Sequence, residues 1–275
     1  MAAPPPSAPP RLFDRALLRK RLDRAAGGFG EADFLHRRAA TDIAERLAPI
    51  MKTFPVAVDL SARGGAFAEA LAQEAPGKVG ALIEADLSPR MLAGRAGLRV
   101  VADEERLPFA DASVDLIVSA LALHWTNDVV GALIQARRAL KPDGLFIAAF
   151  FGGVTLTELR QSLVAAEAEI LGGAGSRVSP FADTGDAAGL LQRAGFVQPV
   201  ADVDTVSVTY EHPLRLLADL RRMGETSVLA ERHPKPLTRR LLGRTSELYA
   251  ERFGTPDGRV PATFEIITLT GWTPA

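Results

Sequence analysis

Four acidic residues recur at intervals that suit a shared task. Asp59, Asp86, Asp103 and Glu104 each close a short apolar run, in "VAVDL", "VGALIEAD" and "LRVVADE". A carboxylate in that position can accept hydrogen bonds from the hydroxyls of a ribose or from the amino group of a base. In that scheme Asp86, with Leu87 beside it, takes both ribose hydroxyls, and Asp103 or Glu104 meets an adenine amino group. Asp59 either orients the following turn by accepting backbone N–H bonds or reaches a ligand's amino group through water. Asp59 and Asp86 lie 27 residues apart, the span of one strand–helix–strand unit. Ser119 ends a fourth run, "VDLIVSAL", and His124 and Trp125 follow it. These either line the opening for a second reactant or pack where a strand gives way to a helix.

The turn after Asp59 departs from what a nucleotide site needs. Glycines are expected at 61, 63 and 65, whereas the chain has Ser61, Arg63 and Gly65, with a further glycine at 64. Glycine there tolerates positive φ and lets a ligand approach the backbone without meeting a Cβ. An unfavourable backbone geometry costs about 1–3 kcal/mol per residue, which weakens binding by about one to two decades. Serine can be accommodated at the first position. Arg63 must swing to solvent or fill the pocket; an exposed loop arginine is expected, with the anchoring of a carboxylate or phosphate as the other role. No serine–histidine–acid set competes with this site. Four scattered histidines without an H-E-x-x-H pattern make a metal site improbable, and cysteine is absent.

The elements that must position these residues alternate regularly. Strands are expected at 56–60, 79–86, 98–101, 114–121 and 145–151, with helices at 64–75, 88–96 and near 128–140. Ser88 is placed to cap the second helix, with Pro89 at its first position. Five doubly buried strands separated by helices predict a parallel sheet covered on both faces, in a doubly wound α/β fold. After Phe151 the rhythm changes. A helix is expected over 155–170, started and capped by the Gly152–Gly153 pair with Thr155 and Thr157. A Gly/Ser/Pro loop follows (172–186), then a second helix (187–196). Strands at 203–211 and 262–272 flank a helical insertion, about 213–253, and predict an antiparallel pair at one sheet edge. The start, "MAAPPPSAPP" (1–10), reads as a disordered tail. Residues 11–50 read as N-terminal helices and 51–275 as the main domain. Leu12, Phe13, Leu17, Leu18 and Leu22 give the first helix an apolar face among many arginines, which fits a helix covering the domain.

Bulk properties narrow the classes. The 275 residues are 47% hydrophobic and 24% charged, with a net charge of −1. That balance offers no global field for nucleic acid or anionic lipid, and no apolar run is long enough for a transmembrane helix. A chain without cysteine is compatible with a cytoplasmic location.

"VAVDLSARGG", "ALIEADLSPRML", "VVADEERLPFADASVDLIVSALALHW" and "RALKPDGLFIAAFFGG" resemble the class I S-adenosylmethionine (SAM) methyltransferase family. Further stretches, "LFDRALLRKRLDRAA", "TLTELRQSL", "LLQRAGF", "DLRRMGE", "VPATFEI" and the final "GW", look like its mitochondrial complex I assembly-factor branch. The likeness runs from about Leu12 to Trp272. It implies a seven-stranded sheet, with SAM bound by Asp59, Ser61, Gly65, Asp86, Leu87, Asp103, Glu104 and Ser119, and His124 and Trp125 on the substrate side. It also implies a protein client, a respiratory complex I subunit, and either methylation or arginine hydroxylation. The family form of the turn is roughly D-L-G-C-G-x-G, so Ser61 and Arg63 imply weak or lost SAM binding. Two alternatives stand beside this: a non-catalytic assembly chaperone, and an acyl-carrier methyltransferase of the biotin-pathway kind. Gly224 and Glu225 fall in a family-like stretch, yet their chemistry assigns them no task.

Overall fold

The computed structural model describes residues 11–181, 187–231 and 236–275. The tail over 1–10, the end of the Gly/Ser/Pro loop and four residues of the insertion lie outside the described residues. Two helices lead: α1 (Arg15–Ala25) and α2 (Phe34–Leu47), joined by a short 3-10 turn over Ala26–Glu31. Then follow β1 (Phe54–Leu60), α3 (Ala66–Glu74), β2 (Val79–Asp86), β3 (Leu98–Val101), β4 (Val114–Ala120), α4 (Val129–Ala139) and β5 (Leu140–Phe151). The second half comprises α5 (Thr157–Leu171), α6 (Ala187–Ala194), β6 (Val197–Tyr210), α7 (Pro213–Arg222), α8 (Arg239–Phe253) and β7 (Val260–Trp272).

The seven strands form one sheet in the order β3-β2-β1-β4-β5-β7-β6. Strands β3, β2, β1, β4 and β5 pair in parallel, and β7 runs antiparallel to both β5 and β6. The expected parallel core and antiparallel edge pair are both present. Because strand side chains alternate faces, neighbours divide between two cores. Ala57, Leu116, Val118, Leu145 and Ile147 pack with α2, α3, α5 and α8. Val58, Ile117, Phe146 and Ala148 pack with α4 and α6 on the opposite face. Burial on both faces explains why these strands read as continuous apolar runs rather than alternating ones.

Two local expectations fail. Residues 88–96 form no helix; they make successive tight turns, with Met91 N–H to Ser88 O and Ala93 N–H to Arg90 O, and Gly94 is left-handed (φ 78). A segment this short cannot sustain helical nucleation, and two glycines at 94 and 97 favour turns. Ser88 still acts as a cap would, its Oγ accepting the Met91 N–H at 3.3 Å. Thr155 does not cap α5 either. Its hydroxyl exchanges bonds with the Glu265 backbone on β7, and Leu156, itself left-handed, precedes the helix.

A third apolar cluster seats α1 across the strand ends. Phe13, Leu18 and Leu22 meet Leu87, Met91 and Trp125, together with Val228 and Leu229 from the insertion. The chain before α1 is bonded to the insertion as a short ribbon: Asp14 N–H to Val228 O and Ala230 N–H to Leu12 O, each 2.8 Å. Gly224 (φ 79) ends α7 so closely on α1 that a Cβ there would lie 2.9 Å from Leu22.

Candidate active site at the strand ends

Local sequence sets the turn after β1. The N–H groups of Ser61 and Ala62 both bond to Ala85 O, pinning the turn to β2. Ser61 (φ 76), Arg63 (φ 41), Gly64 (φ 78) and Gly65 (φ 88) are all left-handed. The turn therefore keeps a glycine-like backbone at two positions that are not glycine, a conformation that persists only where surrounding contacts enforce it. Those contacts are visible. The Ser61 hydroxyl donates to Glu104. The Arg63 N–H donates to Asp86 Oδ2 at 3.1 Å. At Gly65 a Cβ would fall on the guanidinium of Arg95, which is held by Glu84 at 2.8 Å.

Arg63 corrects the expectation of an exposed loop residue. It is 2% exposed, and its guanidinium points inward. Its Nη1 lies 3.0 Å from Glu225 Oε1 and its Nε 3.9 Å from Asp86. Around Glu225 the Nε2–H of His124 donates at 2.9 Å and the indole N–H of Trp125 at 2.8 Å, while His36 Nε2 stands 3.8 Å away. Glu225, to which no task was assigned from sequence, is thus the hub. Burial alone would raise its carboxyl; His124, Arg63 and His36 outweigh that and hold it down to about 2. Burial pushes His36 down to about 3, helped by the charge of Arg63.

Of the remaining carboxylates, Asp86, Asp103 and Glu104 are engaged within the protein and Asp59 is not. Asp86 accepts from Arg63 N–H and, at 2.7 Å, from Ser88 N–H; burial pushes it up to about 6 against the pull of Arg63. Arg15 of α1 donates to both Asp103 and Glu104. Burial would raise Glu104, but Arg15 and Ser61 keep it below the usual carboxylate range. Leu87 belongs to the apolar cluster under α1. Asp59 accepts none of the turn's N–H groups, contrary to one of the two roles proposed for it. Both its oxygens are buried without a partner, as is the Ser119 hydroxyl, and burial with Glu84 and Asp86 nearby raises Asp59 well above its usual range. His124 and Trp125 are both buried, yet Trp125 and Glu225 line a cavity of about 520 Å³ that reaches the surface between α1, α5 and α7.

These residues do not fit SAM as arranged. The guanidinium of Arg63 lies on the side that faces Asp86, and the acids expected at ribose and adenine are bonded to Arg63, Ser61 and Arg15. Sequence reasoning missed Arg15, His36 and Glu225 because nothing in their local spacing announces a shared destination. The one available signal was the awkward arginine at 63, which required a buried acid if it did not reach solvent.

The sheet order with its antiparallel seventh strand, and the acids at the strand ends, define a class I methyltransferase fold. Residues 58–148 match the family model described as a methyltransferase domain. The arginine-hydroxylase NDUFAF5 of Danio rerio is 38% identical over 270 residues, 96% of this chain and 83% of the relative. The human protein of that name is 40% identical over 268 residues, 95% of this chain and 76% of the relative. The chain belongs to the NDUFAF5 branch of the class I SAM methyltransferase family. The malonyl-acyl-carrier-protein O-methyltransferase of Methylovorus sp. is 34% identical, covering 96% of this chain and 90% of the relative. Among solved structures, phosphoethanolamine N-methyltransferase 2 of Haemonchus contortus in complex with SAM shares the fold at a TM-score of 0.57. It is 18% identical, covering 94% of this chain and 60% of that one. YcgJ of Bacillus subtilis does so at a TM-score of 0.55 and 15% identity, covering 86% and 98%.

Proposed function

We propose that this protein engages an arginine side chain of a protein client at the Glu225 cluster, with the cofactor cleft closed by its own Arg63. The client is a respiratory complex I subunit, as the family resemblance implies, and the site is cytoplasmic, whereas the NDUFAF5 relatives named above are mitochondrial. The observation that carries this reading is a buried guanidinium already bound there. Glu225 is ionised, oriented by His124 and Trp125, and pairs with Arg63. A carboxylate so placed selects a planar cation of matching hydrogen-bond geometry. It is reached from outside through the cavity that Trp125 and Glu225 line. A client arginine entering by that route exchanges with Arg63 on the same carboxylate.

Arg63→Ala tests the site. It leaves Glu225 buried with a guanidinium-sized gap, costing about 3–5 kcal/mol, and methylguanidinium should restore much of the loss in thermal unfolding. No rescue, by a ligand that rescues neither stability nor Glu225 geometry, would sink the guanidinium reading. Calorimetric titration of the wild type with SAM should give no binding heat.

A second reading, SAM-dependent modification after Arg63 swings away, is favoured by the unpartnered Asp59 and Ser119 and by the left-handed turn. Micromolar SAM binding in the wild type, lost in Asp86→Ala, would decide for it. Turnover of a malonyl-acyl-carrier substrate would instead select the biotin-pathway reading.

A further inference from the structure

We infer that the cavity beside Trp125 receives a client segment carrying apolar side chains flanked by aspartate or glutamate. This rests on the client reading above and specifies the chemistry of the segment.

The cavity measures about 520 Å³, within the range of sites that enclose small molecules or a few side chains. Its walls are apolar, with Leu159 and Leu163 from α5, Phe181 from the following loop, and Leu217 and Leu220 from α7. Its border is cationic. Arg21 and Arg24 come from α1, Arg221 from the end of α7, and Arg177 from the loop after α5. Arg24 and Arg221 are exposed and form no ion pair with any described residue. The acid lining the cavity, Glu225, is already balanced by Arg63. Positive charge therefore gathers around an apolar opening, and among the described residues two of the four arginines have no counterion. Arg24 and Arg221 each occupy the last turn of a helix, where a cation is favoured. That accounts for their sign but not for two helix ends meeting at one leucine-lined cavity.

A second observation points to an absent ligand. Ser179 lines the same cavity, is 3% exposed, and its hydroxyl has no partner among the described residues. A buried hydroxyl without a partner is costly, and a backbone or side-chain polar group of an incoming segment would satisfy it. Apolar anchors fill the leucine walls, carboxylates meet the arginine border, and the segment's arginine is carried towards Glu225.

Fluorescence anisotropy with labelled peptides tests this. One set places leucine and phenylalanine beside glutamates; matched sets replace the glutamates with glutamine or lysine. Each is made with a central arginine and with alanine in its place. The acidic peptide should bind about tenfold more tightly than the glutamine peptide, and its advantage should shrink as salt rises. Arg24→Glu with Arg221→Glu, both at exposed positions, should reverse the order in favour of the lysine peptide. Equal binding of the acidic and glutamine peptides, or an unchanged preference in the double variant, would overturn the inference. Displacement of the acidic peptide by a fatty acid or by phosphatidylserine vesicles, with no charge preference among peptides, would overturn it in favour of a lipid. An acidic preference that persists while arginine and alanine peptides bind alike would leave this inference standing and remove the guanidinium reading.

Discussion

Position 63 shows how one side chain changes the meaning of a turn. The left-handed backbone at Ser61, Arg63, Gly64 and Gly65 is the glycine-like shape expected of a cofactor turn, yet Arg63 itself is buried within the chain. Ser61 and Arg63 adopt glycine-like φ because Glu104, Asp86 and Glu225 hold their polar groups. Asp59 makes no side-chain bond to this network. It is 0% exposed with both oxygens unpartnered, and its proton affinity is raised by burial, Glu84 and Asp86. Between the ordinary carboxyl value and this raised one the folded state binds the extra proton, so Asp59 lowers stability as pH rises. Each pH unit in that window changes stability by up to about 1.4 kcal/mol. Asp59→Asn should therefore exceed the wild type in stability more at about pH 8 than at about pH 5. Denaturant unfolding at both values checks this; an equal difference at both would mean that Asp59 does not titrate differently on folding.

At the scale of elements, α1 and the insertion act as one cover over the strand ends. Leu22 of α1 is buried beneath the turn at Gly224, and Arg15 on the same helix pairs with Asp103 and with the buried Glu104. Leu22→Ala should cost about 2–5 kcal/mol. In a Trp272→Phe background it should also make Trp125, now 2% exposed, more accessible to a collisional quencher. Lost stability with unchanged quenching would separate the packing of α1 from any covering role. The face of α1 that makes this cover was readable from the spacing of Leu18 and Leu22. Which strand ends it would cover was not, because a helical period states that a face is buried and not against what. The segment 88–96 misled for the opposite reason: a capping serine and a proline are local signals, and turns satisfy them as well as a helix does.

Across the whole molecule, the buried histidine and the buried acids give opposing pH dependences. His36 is held down to about 3 in the folded chain, so the unfolded chain binds the extra proton from its ordinary value of about 6.5 down to that point. Its contribution to stability is present above about 6.5 and is lost as pH falls. Asp86, pushed up to about 6, acts the other way below that value, and Asp59 does so below its own raised value, because their folded forms bind protons more readily. The His36 contribution should thus begin to fall between about pH 7 and 6, with the acids opposing it. His36→Phe should flatten this first fall; a curve unchanged by the substitution would place the acid sensitivity elsewhere.

The sequence by itself determined the parallel sheet, its antiparallel edge, the helical insertion and the ordered acids at the strand ends. Each of these is written locally, in apolar runs, turn residues and intervals within one strand–helix–strand unit. Only the tertiary structure decided what the acids hold. Arg15, His36, Arg63, His124 and Glu225 span more than two hundred positions of the chain, and their meeting depends on α1 and the insertion closing over the same strand ends. Charge neutralisation of a buried site has no period, so no pattern along the chain could announce that its arginines would pair with these acids.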